Sequence, residues 1–153
     1  MNINYIKLNK DQIDVIKPLW DKLREHHEEL SPYFTDVYAE FTFKDRKEEL
    51  LKKSENGILR IDMVKDEETG QFIGYCISSI SDESEGEVDS LYLDDNYRSS
   101  GIGNKLMERA LTWMDEMGVK TKKIMVAAGN EDTLSFYSRY GFFPKHIILE
   151  QVK

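Results

Sequence analysis

Proline is scarce, with three in 153 residues, so the long Pro-rich segments that separate domains or hold a chain extended are excluded. Cysteine occurs once, as Cys76, which rules out an internal disulfide and a zinc site built from cysteines. No apolar run approaches the roughly 20 residues needed to cross a bilayer. Residues Met1 to Lys10 lack the basic start and apolar stretch of a secretory signal, so a cytoplasmic protein without a membrane partner is expected. Positive charge is also in deficit: 21 Lys and Arg against 29 Asp and Glu give a net charge of -8. That balance excludes the basic footprint of a general nucleic-acid binder. It is compatible with an acidic rim that draws in a cation, although simple solubility is the plainer explanation.

What is present is enough for one core. Hydrophobic residues make up 40% of the chain and charged residues 33%, at the length of a single ordinary domain. Tyr5 to Leu8 reads as a first strand. Asp11 then offers an N-cap to a stripe of Ile13, Ile16, Leu19 or Trp20, Leu23, His27 and Leu30 at helical spacing. Pro18 lies inside that stripe and must kink or restart the helix. The aromatic stretch Phe34 to Phe43 favours no regular structure, and Lys44 to Lys53 reads as a short helix with Leu50 and Leu51 buried. Leu59 to Val64 and Phe72 to Ile80 form a predicted antiparallel hairpin across the polar turn at Lys65 to Gly70. Glu87 to Leu93 is a third strand in this stretch.

The period changes in the last third. Gly101 to Met117 carries an amphipathic helical pattern, and Gly118 fits its C-terminal end. Lys123 to Ala128 is a strand, Asn130 or Asp132 caps a second helix running to about Tyr140, and Phe142 to Val152 is a final strand. This order predicts a single α/β (α+β) domain over residues 1–153 with a mixed, mainly antiparallel sheet. Residues 1–57 supply mainly helices, 58–144 the central unit and 145–153 the last strand.

The segment from Leu91 to Gly103 is the most informative. A buried strand runs into a turn that ends Arg98-Ser99-Ser100-Gly101-Ile102-Gly103, and a long helix follows at once. The first turn of a helix has backbone N–H groups without helical partners and a partial positive charge, so it suits an anion. Glycines at 101 and 103 let a phosphate approach the backbone, and Arg98 adds a forked donor. The string is neither a Walker loop nor a dinucleotide fingerprint, because the position of that fingerprint's third glycine is Leu106. Alone, it is equally a tight strand-to-helix turn.

This loop resembles the pyrophosphate loop of the GNAT family of N-acetyltransferases. Leu91-Tyr92-Leu93 resembles the family's cofactor strand, and Asn130, Phe136-Tyr137 and Gly141-Phe142 resemble its downstream segment. The resemblance covers roughly residues 58 to 144. It implies a sheet splayed between strands 4 and 5, with acetyl-coenzyme A as co-substrate in the gap. Leu91, Tyr92 and Leu93 would then pair with the pantetheine arm. Arg98, Ser99, Ser100, Gly101, Ile102 and Gly103 would hold the diphosphate, with Asn130 and Ser135 beside the arm. Tyr137 would lie near the sulfur and serve as proton donor; otherwise it is a buried aromatic whose hydroxyl is merely hydrogen-bonded. Glu87 sits where one branch of the family places its catalytic glutamate, and Asp89 shares its face unless a bulge intervenes; either would be the base, or both a solvent-facing strand end.

The acceptor side would come from the N-terminal helices, with Trp20, His27, Tyr33, Phe34 and Tyr38 and the neighbouring Glu28 and Glu29. Carboxylates with aromatic rings suit a cation. The expected activity is direct acetyl transfer to a primary amine of a small molecule or peptide, by a protein able to form a homodimer. The alternative is an acyl-coenzyme A-binding module without turnover. The adjacent His26 and His27 point different ways on a helix, so no metal site is expected, and Cys76 is expected in the core.

Overall fold

Alternating apolar residues between positions 58 and 93 build three long strands, and these form the centre of the sheet. A computed structural model describes residues 1–153. The strands are β1 (Ile3–Leu8), β2 (Ile58–Asp66), β3 (Gln71–Ile80), β4 (Glu85–Leu93) and β5 (Thr121–Ile124), side by side in sequence order. The first four pair antiparallel, and β4 with β5 is parallel. The helices are α1 (Lys17–Leu30), α2 (Thr35–Glu40), α3 (Phe43–Asn56), α4 (Ile102–Glu116) and α5 (Thr133–Ser138). The mixed, mainly antiparallel sheet flanked by helices is the architecture expected. No helix is long and apolar enough to cross a membrane.

The period of two sends alternate side chains to opposite faces, and each face has its own core. On one, Ile61, Met63, Tyr75 and Ile77 meet Ile16 and Trp20 from the N-terminal helical segment and Leu50 of α3. On the other, Val64, Ile73, Cys76 and Val88 meet Leu106, Ala110 and Met114 of α4. Burial of each large side chain contributes about 1.5–3 kcal/mol. Cys76 is fully buried, as expected, and that burial pushes its thiol pKa well up.

Several boundaries differ from the sequence reading for local reasons. Asn9, not Asp11, opens the first helical segment, a 3-10 turn over Lys10–Ile16, with the Asn9 N–H donating to the Gln12 side chain at 2.9 Å. Pro18 restarts the chain as α1, because the first turn needs no N–H from it. The aromatic stretch contains α2, which has no fully buried residue and so no readable stripe. α3 starts at Phe43 because Thr42 and Asp45 form a capping box, with bonds of 3.0 and 3.1 Å. Leu51 is half-buried, not buried.

Two strand predictions fail. β5 stops at Ile124 instead of Ala128, and Met125 is 73% exposed. Phe142 to Val152, including the expected strand at 145–153, forms no strand. A strand needs a neighbour: β5 has only four residues, and Pro144 removes one donor. Ile147, Ile148 and Leu149 therefore stay exposed.

Candidate active site

The strand-to-helix bend carries the clearest feature of the surface. The Arg98 N–H donates to the Asp95 carbonyl at 3.2 Å, and the Lys105 N–H starts the α4 ladder on Gly101 at 3.0 Å. Between them, the six backbone N–H groups from Ser99 to Asn104 have no acceptor in the protein. Ser99 (φ 61°) and Gly101 (φ 86°) are both left-handed, and left-handed residues between right-handed ones are the conformation in which successive amides can turn toward one anion. A left-handed serine is uncommon and costs of order 1 kcal/mol, which the surrounding turn must offset. Gly101 needs its glycine for that φ. At Gly103 a Cβ would sit an ordinary 3.6 Å from Phe136, so packing within the protein leaves room for a methyl group there.

Arg98 uses part of its forked donor set within the protein. Its Nη1 pairs with Asp95 at 2.9 Å and its Nε donates to the Leu93 carbonyl at 3.2 Å. It clips the end of β4 and shares its charge. Ile102 is 4% exposed and packs with α4's core residues, so its N–H alone faces the bend.

Beside the bend the sheet opens. β4 and β5 pair from Glu85–Thr121 to Val88–Ile124 and no further. From Asp89 to Leu93 the outer edge of β4 has no strand partner, and Leu91, Tyr92 and Leu93 are half-buried along it. The register against β3 changes at the same point. Ile77 faces Ser90 while the next residue, Ser78, faces Val88, so Asp89 is an extra residue in a bulge. The bulge raised as a possibility is therefore present. It does not separate the two acids: Lys53 Nζ donates to Glu87 at 3.0 Å and also to the Asp89 carboxylate.

Those two carboxylates are differently placed. Glu87 is 14% exposed at its side chain and has a second ammonium, Lys123, at 3.9 Å. The Asp89 side chain has no exposed surface, and its Oδ2 has no hydrogen-bond partner. Burial raises the Asp89 pKa, with Lys53 acting in the opposite direction. Neither is the free solvent-facing acid that a polar strand end suggests.

Tyr137 lies on α5 and packs into the α4-side core that also touches Leu91 and Leu93. Burial, with a smaller contribution from nearby Cys76, pushes its pKa up to about 12. Its hydroxyl bonds to no protein group, so the merely hydrogen-bonded alternative has no partner here. A phenol in this state keeps its proton at neutral pH and can act as a donor. Asn130 is not a cap: the N-cap position is Asp132. The Asn130 carbonyl accepts from the Thr133 N–H and hydroxyl, at 3.2 and 2.8 Å, and its side-chain amide has no bond inside the protein. Ser135 is exposed and donates to the Asp132 carbonyl at 3.2 Å.

The expected acceptor residues do not all gather. Trp20 is 5% exposed, with Phe41 and Phe43 rings 5.9 and 5.5 Å away, and is a core residue that leaves the acceptor set. His27 and Tyr38 meet, with ring centroids 5.6 Å apart. Burial, then the neighbouring His26, lowers the His27 pKa to about 4, so this imidazole is uncharged at neutral pH. Phe34 is half-buried and Tyr33 is 77% exposed. Gly129 (φ 97°) brings the chain after β5 against the end of α1: a Cβ there would lie 2.0 Å from the Leu30 carbonyl. The helical tip and the far lip of the open sheet are thus in contact. Two residues were missed, Arg46 and Lys53 of α3, whose spacing of seven puts both on one helix face.

Comparison with known proteins gives the family and the fold. Residues 20–142 match the family profile described as the acetyltransferase (GNAT) family. An uncharacterised N-acetyltransferase of Methanocaldococcus jannaschii is 25% identical over 105 residues, 65% of this chain and 44% of that protein. The chain therefore spans less than half the length of that relative. A putative acetyl transferase from Pyrococcus furiosus shares the fold with a TM-score of 0.71 at 20% identity, covering 98% of this chain and 99% of the other. The aminoglycoside N-acetyltransferase AAC(6')-Iy, solved in complex with CoA, does so with a TM-score of 0.67 at 15% identity, covering 99% and 95%.

Proposed function

The chain belongs to the acetyltransferase (GNAT) family, and on that premise we propose that it transfers the acetyl group of acetyl-coenzyme A directly to a primary amine of a small molecule or peptide. The observation that carries the reading is the row of six unpartnered amides, Ser99 to Asn104, beside an unpaired stretch of β4. The residues present fit the coenzyme: a diphosphate needs several convergent donors, and an amide-bearing arm needs an open strand edge. Acetyl-coenzyme A, when bound, supplies an activated acyl carbonyl and a thiolate leaving group.

The chain's own residues supply the rest. The amides of residues 99 to 104 bind the diphosphate, with Arg98 offering the donors that Asp95 does not use. The backbone of Leu91, Tyr92 and Leu93 orients the arm, and an N–H of this edge polarises the carbonyl as oxyanion charge develops. Asn130 offers its free side-chain amide, and Ser135 lies one turn on as a weaker contact. Tyr137, protonated at neutral pH, gives a proton to the departing sulfur. Asp89 is favoured over Glu87 as the final acceptor of the amine proton, reached through a relay of water because its side chain is buried: burial raises its pKa and its Oδ2 has no partner in the protein. Glu87, held by Lys53 and near Lys123, is the second candidate for that proton, with its charge already offset by the two ammonium groups.

The acceptor would be recognised by uncharged His27, Tyr38 and Phe34, with Tyr33 exposed at the tip. An apolar wall with acidic neighbours selects an amine over a carboxylate. The aminoglycoside enzyme among the structural neighbours makes polyamino sugars a rational first class to assay, followed by polyamines, amino acids and peptides.

The test is calorimetric titration with coenzyme A, then thiol release from acetyl-coenzyme A across that panel. Micromolar binding and amine-dependent release are expected. Binding without release for any amine would leave a coenzyme-binding module without turnover, and no binding would remove the reading altogether.

A further inference from the structure

Arg46 and Lys53 are seven residues apart on α3, two helical turns, with fully buried Leu50 between them. Both reach the same place on β4. Arg46 Nη2 donates to the Asp89 carbonyl at 2.7 Å, while Lys53 Nζ donates to Glu87 at 3.0 Å and to the Asp89 carboxylate. Asp89 is the residue that β3 leaves unmatched. A bulged residue drops out of the strand ladder, and here a guanidinium takes its carbonyl. The bulge also coincides with the point at which β4 and β5 part, since their last pair is Val88 with Ile124. One helix thus grips, with two cations, the residue at which the sheet begins to open.

We infer that Arg46 and Lys53 are positioning residues that pin the Asp89 bulge and so hold the edge of β4 open, ready-shaped for the coenzyme arm. The structural part stands on the bond pattern; its kinetic consequence rests on the acetyl-transfer reading above. The β4–β5 ladder stops at the bulge that α3 holds, and a bulge released from its two cations keeps no fixed shape, so the open edge beyond it loosens. The same lysine also sets the charge of the site. The titratable and charged groups around Asp89 are Lys53 and Arg46 from α3, Glu87 on its own strand, Lys123 from β5 and Cys76 from β3. Without Lys53, two neighbouring carboxylates face each other with one distant ammonium at 3.9 Å from Glu87, so Asp89 takes up a proton more readily.

Hydrogen exchange and a pH–rate profile test this together, on the full chain with Lys53→Met, Lys53→Arg, Arg46→Met and the milder Arg46→Lys. In Arg46→Met the amides of Glu87 to Leu93 are expected to exchange about tenfold faster while those of α4 are unchanged, the signature of local rather than global loosening. In Lys53→Met the acidic limb of kcat/KM is expected to move up by about one pH unit, and Lys53→Arg is expected to return it. Exchange in β4 that rises no more than in α4, or an acidic limb that stays where it is in Lys53→Met, would overturn the inference. If the parent protein acetylates no amine, the transfer reading fails on its own and the exchange measurement alone decides the clamp.

Discussion

The two ends of β4 behave differently. From Glu85 to Val88 the strand is paired on both sides, to β3 and to β5, and Val88 is 3% exposed. From Asp89 to Leu93 it keeps β3 but loses β5, and every residue there except Ser90 is only half-buried. The first half satisfies its backbone and contributes to stability. The second half, with the adjoining bend, leaves donors and acceptors unused, which is costly unless something else satisfies them. Unused backbone groups beside a well-packed core are what the proposed coenzyme site requires. The two halves meet at one extra residue, Asp89.

The contrast can be broken most strongly at its chemical end. Tyr137→Phe removes the only proton donor assigned to the sulfur, and kcat is expected to fall about 10²–10⁴-fold with little change in coenzyme affinity. Steady-state kinetics beside calorimetry separates the two effects. In the closed half, Leu106→Ala empties a fully buried site of α4, and a loss of about 2–5 kcal/mol is expected in urea unfolding.

A third change acts on the open half. Gly101→Val puts a β-branched residue at φ 86°; the coenzyme-free bend is expected to relax away from that conformation, and restoring it on binding costs about 1–2 kcal/mol, roughly tenfold weaker coenzyme binding by calorimetry. A smaller effect belongs to His27. Its folded pKa, near 4, lies below the ordinary value of 6.5, so its contribution is complete above pH 6.5 and is lost as the pH falls toward 4. His27→Phe is expected to flatten that part of the stability–pH curve, an effect of about 1–3 kcal/mol measured by urea unfolding at several pH values. The smallest effect is in the exposed tail, where Ile148→Lys should change unfolding stability by less than about 0.5 kcal/mol. A large loss there would mean that the tail is covered in solution.

How much of this was legible in the sequence follows from how local each feature is. The bend was legible because its parts are contiguous: a strand, two glycines and the start of an apolar-striped helix. The hairpin of β2 and β3 was legible from alternation. The bulge could be suspected but not placed, because its position depends on register against β3, which Ile77 and Ser78 decide from elsewhere in the chain. The role of Lys53 was hidden for the same reason, since it lies 34 and 36 residues from its two partners. Trp20 was misassigned because an aromatic in an amphipathic helix reads the same whether it faces a pocket or a core. Ile147-Ile148-Leu149 has strand-like residues, yet pattern alone supplies no partner.

The most direct test of the central claim is a titration of the isotopically labelled chain with coenzyme A, followed through its backbone amide resonances. The account predicts that the largest shifts fall on Ser99 to Asn104 and then on Leu91 to Leu93, and that Gly101→Val weakens them together. Saturating coenzyme that leaves Ser99 to Asn104 unmoved, or that shifts a different face of the protein, would contradict it.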